Sequence, residues 1–377
     1  MKLLHTADWH LGKVLYGASM LEEQRAFLND CLFPAIEKER TDAIVIAGDI
    51  FDRSIAPPQA IRLFDEFVVR ISRDFGIPLL IITGNHDGQD RIALAKELLR
   101  DKGVYIATRL EDAFAPVRLE KNGQTYHFYL LPYFEPAQLR DLLHCEDIRG
   151  FAQSYKTVTD KIRQTFKPGG VHILVSHCFV TGCRTSDSES SVYVGGSGEV
   201  SADTFAGFDY VALGHLHAPQ QAGSNARYSG SPLKYSFDEA HQKKSLTLVT
   251  LEGAAVQTRQ LPVCARHDVK TMKGTFEELY HAGMQAPDDS YLFATLTDDR
   301  PVYMPMDRLR EYYPNLLGLK SEFLSRRAEL QHGQARQPSG DAVLFTQFME
   351  QICGQTATPE DRALFFETLK RIQEENL

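Results

Sequence analysis

The chain has 377 residues, 43% hydrophobic and 24% charged, a composition that excludes disordered and collagenous classes and allows two or three domains. No apolar run approaches the roughly 18–20 residues of a membrane span, and the N-terminal apolar stretch is too short for a secretory signal, so a cytoplasmic protein away from membranes is expected. The formal net charge of −9 argues against a free-standing nucleic-acid binder, although bound cations or local basic patches can coexist with an acidic whole.

Residues 3–7 read as a short strand, and 21–39 as a helix with Phe27, Leu28, Cys31, Leu32 and Ile36 along one side. AIVIA at 43–47 is a continuous apolar run, the pattern of a strand buried on both faces. Pro57 and Pro58 open a helix whose Ile61, Phe64, Phe67, Val68 and Ile71 follow the 3.6-residue period. LLIIT at 79–83 is another buried strand, and 91–102 reads as a helix stopped by Gly103. Strands alternating with helices imply an α/β fold with a mostly parallel sheet.

The pattern then changes. Residues 117–120 and 125–131 flank Asn122-Gly123, a strong hairpin signal. Polar helices follow near 137–145 and 154–166, then strands at 172–176 and 210–213. Between those strands, residues 181–200 are rich in Ser and Gly, include Gly195-Gly196, and read as a mobile surface loop. A second hairpin is expected over 245–251 and 256–261, and a boundary near 262–267. Residues 268–321 read as strand, helix, strand, helix, strand: a small α+β unit with its clearest strand at 291–296 and clearest helix at 306–312. A polar linker over 331–340 precedes two amphipathic helices. Leu344, Phe345, Phe348, Met349 and Ile352 line one, and Leu364, Phe365, Leu369 and Ile372 line the other, which opens at Thr358-Pro359-Glu360. Six cysteines without a CxxC pair read as reduced, mostly buried thiols.

Five strands run into metal-ligand residue types. These are Asp8 and His10; Asp49 and Asp52; Asn85, His86 and Asp87; His177; and His215 and His217. In open α/β sheets a site lies beyond the carboxyl ends of the strands, so these groups should meet on one rim. The mixed nitrogen and oxygen donors suit Mn, Fe or Zn better than the oxygen-only sites of Ca or Mg. The i, i+2 spacing of Asp8/His10 and His215/His217 lets both members face one side of extended chain. A bridging carboxylate can hold two cations about 3.5–4 Å apart, the spacing of two-metal phosphoryl transfer. Trp9, the only tryptophan, lies between two of these residues and reads as packing beside the site.

DxH, GDxxD, GNHD, H and GHxH in this order resemble the calcineurin-like metallophosphoesterase superfamily over roughly residues 1–260. Within it, HTADWHLG at 5–12, AGDIFD at 47–52, ITGNHD at 82–87, SHC at 176–178, GHLH at 214–217 and YSGSPLKYSF at 228–237 are similar to the nuclease subunits of SbcCD-type exonucleases. The resemblance implies an α/β/β/α sandwich over 1–262, a small α+β DNA-capping domain over 263–328, and a linker with C-terminal helices over 329–377 that dock an SMC-like ATPase subunit, SbcC. It implies two divalent metal ions, usually Mn²⁺. Asp8, His10 and His217 would hold one, Asn85, His177 and His215 the other, and Asp49 would bridge both. His86 would stabilise the transition state or protonate the leaving oxygen, with Asp52 as its orienting carboxylate, a position where archaeal and eukaryotic relatives commonly carry histidine. The implied activity is hydrolysis of DNA phosphodiesters, as a double-strand 3′–5′ exonuclease and a single-strand or hairpin endonuclease in repair, recombination and replication. The implied assembly is a homodimer within a heterotetramer.

Lys13, Arg184, Lys234, Lys243 and Lys244 fall in loops near the expected rim and are candidate DNA contacts, since phosphate contacts dominate such affinity. A small-molecule phosphodiesterase or phosphatase on the same fold is the alternative reading, because a fold alone does not settle its substrate.

Overall fold

The computed structural model describes residues 1–189, 198–253, 255–325, 345–346, 349 and 356–375. Two compact units are distinguished: Met1–Thr295 with Met304–Leu319, and Leu296–Tyr303 with Lys320–Leu377.

The first unit is built on two six-stranded sheets. One contains β1 (Lys2–Thr6), β4 (Ala43–Ala47), β5 (Leu79–Ile82), β6 (Val104–Ala107), β15 (Ser245–Glu252) and β16 (Ala255–Pro262), in the order β16-β15-β1-β4-β5-β6. The β1-β4-β5-β6 part is parallel, and β15 and β16 add an antiparallel edge. The other contains β7 (Val117–Lys121), β8 (Gln124–Leu131), β9 (Val171–His177), β12 (Tyr210–Gly214), β13 (Gln220–Gln221) and β14 (Ala226–Tyr228), in the order β13-β14-β12-β9-β8-β7. Two short ribbons pair β2 (Val14–Leu15) with β3 (Ala18–Ser19), and β10 (Phe179–Val180) with β11 (Glu199–Val200). Asn122 and Gly123 both take positive φ, 52° and 73°, as the tight turn joining β7 to β8 requires.

Alternation along each strand builds the layers. In β4, Ala43, Val45 and Ala47 face the other sheet, in a core shared with Leu80, Ile82, Phe128, Ile173, Val175 and Ala212. Ile44 and Ile46 face outward into a core with Phe27, Phe67 and Trp9. The second sheet is covered on its outer side in the same way: Tyr129, Leu174, Val211 and Leu213 pack with Tyr155, Val158 and Ile162 of the helix Gly150–Arg163. The result is the α/β/β/α sandwich, and it explains why the central strands read as unbroken apolar runs.

Two expected helices differ in detail. Residues 21–39 are helical throughout but widen to a π-helical stretch at Phe27–Leu32, just ahead of Pro34, which has no N–H for the α-helical ladder. The helix expected over 91–102 is two short turns, Gln89–Ile92 and Lys96–Arg100, separated by Ala95 at φ 57°. Strand β6 has no counterpart in the sequence pattern, because its four residues directly follow the Gly103 stop signal.

β17 (Val269–Gly274), β18 (Tyr291–Leu296) and β19 (Leu316–Ser321) form a three-stranded sheet with the helices Phe276–Gln285 and Pro305–Leu309 between them in sequence. Thr275 caps the first of these helices in a box with Glu278. In the second compact unit, Thr358 and Asp361 form a similar reciprocal cap at the start of the helix Pro359–Glu375, and Phe345 stacks on Phe365 at 4.4 Å. Gly195-Gly196, the linker at 331–340, Leu344, Phe348, Ile352 and Cys353 lie outside the described residues, as do the side chains of Leu369 and Ile372. Among the described residues no helix is long and apolar enough to cross a membrane, and Cys31, Cys145, Cys178, Cys183 and Cys264 are free thiols.

A buried histidine ties the sheets together. His5 of β1 accepts a hydrogen bond from the Tyr210 hydroxyl at Nδ1 (2.9 Å) and donates one from Nε2 to the Leu213 carbonyl (3.1 Å). Burial lowers its pKa to about 3. A histidine depressed in the fold binds its proton first in the unfolded chain, so its stability is present above pH 6.5 and lost as pH falls toward 3. Between pH 7 and 5, His5→Gln should remove about 2 kcal/mol of the pH dependence of urea unfolding; an unchanged slope would assign the acid sensitivity elsewhere.

Candidate metal centre

The strand ends of both sheets deliver their polar residues to one place. Beyond β1, Asp8 and His10 donate backbone N–H groups to the carbonyls of Gly48 and Asp49, each at 3.0 Å, so the two loops interlock. Asp87 accepts from the N–H groups of Ile50 (3.2 Å), Phe51 (2.9 Å) and Gly84 (2.9 Å), stapling the loop after β4 to the loop after β5. That use of Asp87 is distinct from helix capping, and the helix that follows has no side-chain cap.

The seven expected ligands come together. The Asp49 carboxylate lies 3.3 Å from His177 Nε2 and 3.7 Å from His10 Nε2. His10 and His217 face each other through Nε2 at 3.1 Å. Asn85 Oδ1 lies 3.0 Å from His177 Nε2 and 3.1 Å from His215 Nδ1. Asp8 Oδ1 accepts from the His215 N–H at 2.8 Å. Two donor clusters share Asp49: Asp8–Asp49–His177 and His10–Asp49–His86. Close approach needs glycine here. A Cβ on Gly84 would lie 2.2 Å from Asp49 Oδ1, and one on Gly48, at φ 90°, would lie 2.3 Å from His177 Nδ1.

Asp8, His10, Asp49 and His215 all take positive φ, at 53°, 44°, 49° and 105°. Non-glycine residues in that region cost about 1–3 kcal/mol each and persist where surrounding bonds over-determine them. The interlocked loops supply those bonds.

The electrostatics are those of a site built for cations. Burial pushes the Asp8 carboxyl well above its usual range. Burial would also raise Asp49, but the neighbouring His177 overcomes it and holds the carboxyl well below. Burial disfavours protonated His177, yet the Asp49 carboxylate prevails and lifts it to about 9. His215 is lowered to about 3, first by burial and then by His177, and His10 and His217 are lowered chiefly by burial. Asp8 Oδ2 and His10 Nδ1 are buried without a hydrogen-bond partner. The orphaned Asp8 Oδ2 beside the facing nitrogens fits a divalent cation, and Asp8, His10, Asp49, Asn85, His177, His215 and His217 are the residues that would hold such cations.

His86 Nδ1 donates to the backbone carbonyl of Asp52 at 2.8 Å. The bond is to the main chain of Asp52, whereas the expected contact is to its carboxylate. That carboxylate instead pairs with Lys13 at 2.9 Å and lies 3.7 Å from His10 Nδ1.

The candidate DNA contacts separate by burial. Arg184 and Lys243 are exposed. Lys13 is engaged with Asp52. Lys234 donates to the carbonyls of Ala240 (2.7 Å) and Val269 (3.1 Å) and pairs with Asp268. Lys244 is 7% exposed and pairs with Glu239, which corrects its placement on the surface. Arg53, 79% exposed and next to Asp52, is a rim cation that no sequence motif marks.

The loop expected to be mobile is in part seated on the site. Val180 of β10 and Val200 of β11 pair across its two ends. Ser188 Oγ lies 2.7 Å from His217 Nδ1, and Glu189 accepts from the His217 N–H at 2.6 Å. Glu189, raised to about 7 chiefly by burial, and Glu239 belong to no motif. Their signal in the sequence is only an acid in a loop.

The calcineurin-like phosphoesterase profile matches residues 1–219, and the profile of the type 5 capsule protein repressor C-terminal domain matches residues 265–352. The chain is similar to SbcD, the nuclease SbcCD component of Staphylococcus epidermidis, 30% identical over 347 residues that cover 91% of each chain.

Trp9 is packed edge-on against Phe27 and Phe67, and Gln24 and Tyr235 donate to its carbonyl. Because it is joined to Asp8 and His10, its emission should fall on Mn²⁺ addition, saturating at two equivalents. Unchanged emission alongside calorimetric uptake would separate these two residues from the cation.

Proposed function

The chain belongs to the calcineurin-like phosphoesterase family and, within it, to the SbcD nucleases, and on that premise we propose that it is the metal-dependent nuclease subunit of an SbcCD-type complex. The observation that carries this reading is the convergence of Asp8, His10, Asp49, Asn85, His177, His215 and His217 on one buried centre with Asp49 between the two donor groups. The substrate is a DNA phosphodiester, cut as an exonuclease at double-stranded ends and as an endonuclease at hairpins and single strands.

When bound, two divalent cations, for which we propose Mn²⁺, neutralise the diester and lower the pKa of water. The protein's own groups do the rest. Asp49 would serve both cations, and Gly48 and Gly84 let it approach His177 and the loop after β5. A carbonyl only accepts, so Asp52 O keeps a proton on His86 Nδ1 and leaves Nε2 as the atom that passes a proton to the leaving oxygen. The same logic orients His177, whose Nδ1 donates to the Ala47 carbonyl at 2.8 Å and whose Nε2 faces the centre. Arg53, Arg184 and Lys243 are the exposed cations proposed to meet the DNA backbone.

The partners proposed are DNA, the ATPase subunit SbcC and a second copy of the chain. The helix Pro359–Glu375 offers exposed Leu364 and Phe366 for the ATPase. Ile61, Val69 and Leu94 are exposed along an apolar groove of about 230 Å³ that Phe64, Val68, Ile92 and Leu99 also line, and Leu98, next to Leu99 in sequence, is exposed as well, which supports a second copy docking there. Leu94→Glu with Leu98→Glu should turn a dimer into a monomer by light scattering; a dimer that persists would place the interface elsewhere.

The deciding assay is cleavage of hairpin DNA with Mn²⁺, with and without the ATPase, beside turnover of a model diester. Preference for the model diester would favour a small-molecule phosphodiesterase. His86→Ala should lower kcat by about 10²–10⁴-fold while metal uptake persists. Asp52→Asn, which keeps the carbonyl, should stay within about tenfold of wild type; a loss as large as that of His86→Ala would return the orienting role to the carboxylate.

A further inference from the structure

The proposed function makes His217 a cation ligand, and the inference here rests on that reading. His217 Nε2 faces His10 across 3.1 Å, which directs Nδ1 away from the centre. Nδ1 lies 2.7 Å from Ser188 Oγ and 3.3 Å from Glu239 Oε1. Ser188 Oγ in turn donates to the same Glu239 oxygen. A carboxylate only accepts, so the bonds run in one direction: His217 Nδ1–H to Ser188 Oγ, then Ser188 O–H to Glu239.

Glu239 is fully buried, at 0% exposure, in the short turn Asp238–His241. Its other oxygen pairs with Lys244. The Lys244 ammonium also reaches the His217 carbonyl at 2.9 Å, Ser231 Oγ at 2.8 Å and Gln242 Oε1 at 2.8 Å. Lys244 therefore holds the ligand's backbone directly and its ring through Glu239 and Ser188. With Glu189 accepting from the His217 N–H, every polar atom of His217 except Nε2 is engaged away from the centre.

A buried ion pair is poor evidence of a stability function, since an apolar pair of similar volume is often as stable. Its position behind one imidazole is the informative feature. Ligating histidines usually donate their second ring N–H to an acceptor, which fixes tautomer and ring orientation. The segment carrying Ser188 is itself anchored to the Glu239 turn. Asp187 N–H donates to Asp238 at 2.9 Å, and Gln242 Nε2 donates to Ser186 Oγ at 2.8 Å.

We propose that Ser188, Glu239 and Lys244 form a positioning relay that keeps the proton on His217 Nδ1 and the lone pair on Nε2, and so sets the affinity of the cation site that His217 serves. None of the three touches the substrate or the reacting atoms. They act through the ligand.

Calorimetric titration of the full chain with Mn²⁺ tests this, with thermal melts in EDTA as the folding control. Wild type should bind two equivalents. Ser188→Ala and Glu239→Gln should weaken one equivalent by about 10–100-fold and leave the other within about twofold. Ser188→Thr keeps the hydroxyl and should bind as wild type does. The EDTA melting points of both Ser188 variants should stay within about 2 °C of wild type, which a merely structural role would not combine with a one-site loss. Wild-type affinity at both equivalents in Ser188→Ala overturns the relay, even if Glu239→Gln fails to fold. Wild-type protein that takes up no Mn²⁺ overturns instead the metal reading beneath it.

Discussion

The contact between Asp49 and His177, 3.3 Å apart, is where the two sheets close on one another. Asp49 leaves the end of β4 in one sheet, and His177 ends β9 in the other. Neither sheet alone holds a complete donor set. The first provides Asp8, His10, Asp49 and Asn85; the second provides His177, His215 and His217. The sandwich must bring its sheets together in a fixed register before any centre exists. His5 and the mixed core of Val45, Ile82, Phe128 and Val175 enforce that register from within. The metal centre is thus a property of the packing between sheets, and core substitutions far from the rim should be felt there as lost geometry.

Holding that contact has a cost, visible in the positive φ angles at Asp8, His10, Asp49 and His215 and in the opposed pKa displacements of Asp8 and Asp49. Three devices offset it. Backbone bonds interlock the loops, Asp87 collects three N–H groups, and glycines remove the Cβ atoms that would block approach. A bound cation would add a fourth by satisfying Asp8 Oδ2. Two carboxylates of the surroundings are matched by a lysine, Asp52 by Lys13 and Glu239 by Lys244, while Asp87 and Glu189 accept backbone N–H groups.

The strand ends were legible in the sequence because an apolar run followed by Asp, Asn or His is a local pattern, and five such patterns repeat in one chain. The central strands AIVIA and LLIIT and the Asn122-Gly123 hairpin were legible for the same reason. What was not legible depends on side-chain direction. Lys234 and Lys244 sit in polar loops and read as surface cations, yet each turns inward to carbonyls and a carboxylate. Ser188 and Glu189 lie in a Ser- and Gly-rich stretch whose composition suggests mobility, while their bonds to His217 come from a segment 28 or 29 residues away in sequence. The break at Ala95 leaves Leu94 and Leu98 exposed, where an uninterrupted helical period would have placed apolar residues inward.

The acidic net charge and the anionic substrate are reconciled by location. Two divalent cations, as proposed, would bring four positive charges, of which the carboxylates Asp8 and Asp49 would offset two. Asp52 and Glu239 are already paired with lysines, so a local surplus of positive charge would remain at the centre. At physiological salt the field of exposed acids elsewhere is largely screened beyond about 8 Å, while this surplus lies in a buried, weakly screened site. A phosphodiester is therefore held where it reacts but gains little along the rest of the protein surface, where only scattered cations such as Arg53, Arg184 and Lys243 are exposed. Under the proposed function, affinity for a long DNA duplex would then come from a partner. That division would let a chain of net charge −9 serve as a DNA nuclease without itself holding a duplex strongly.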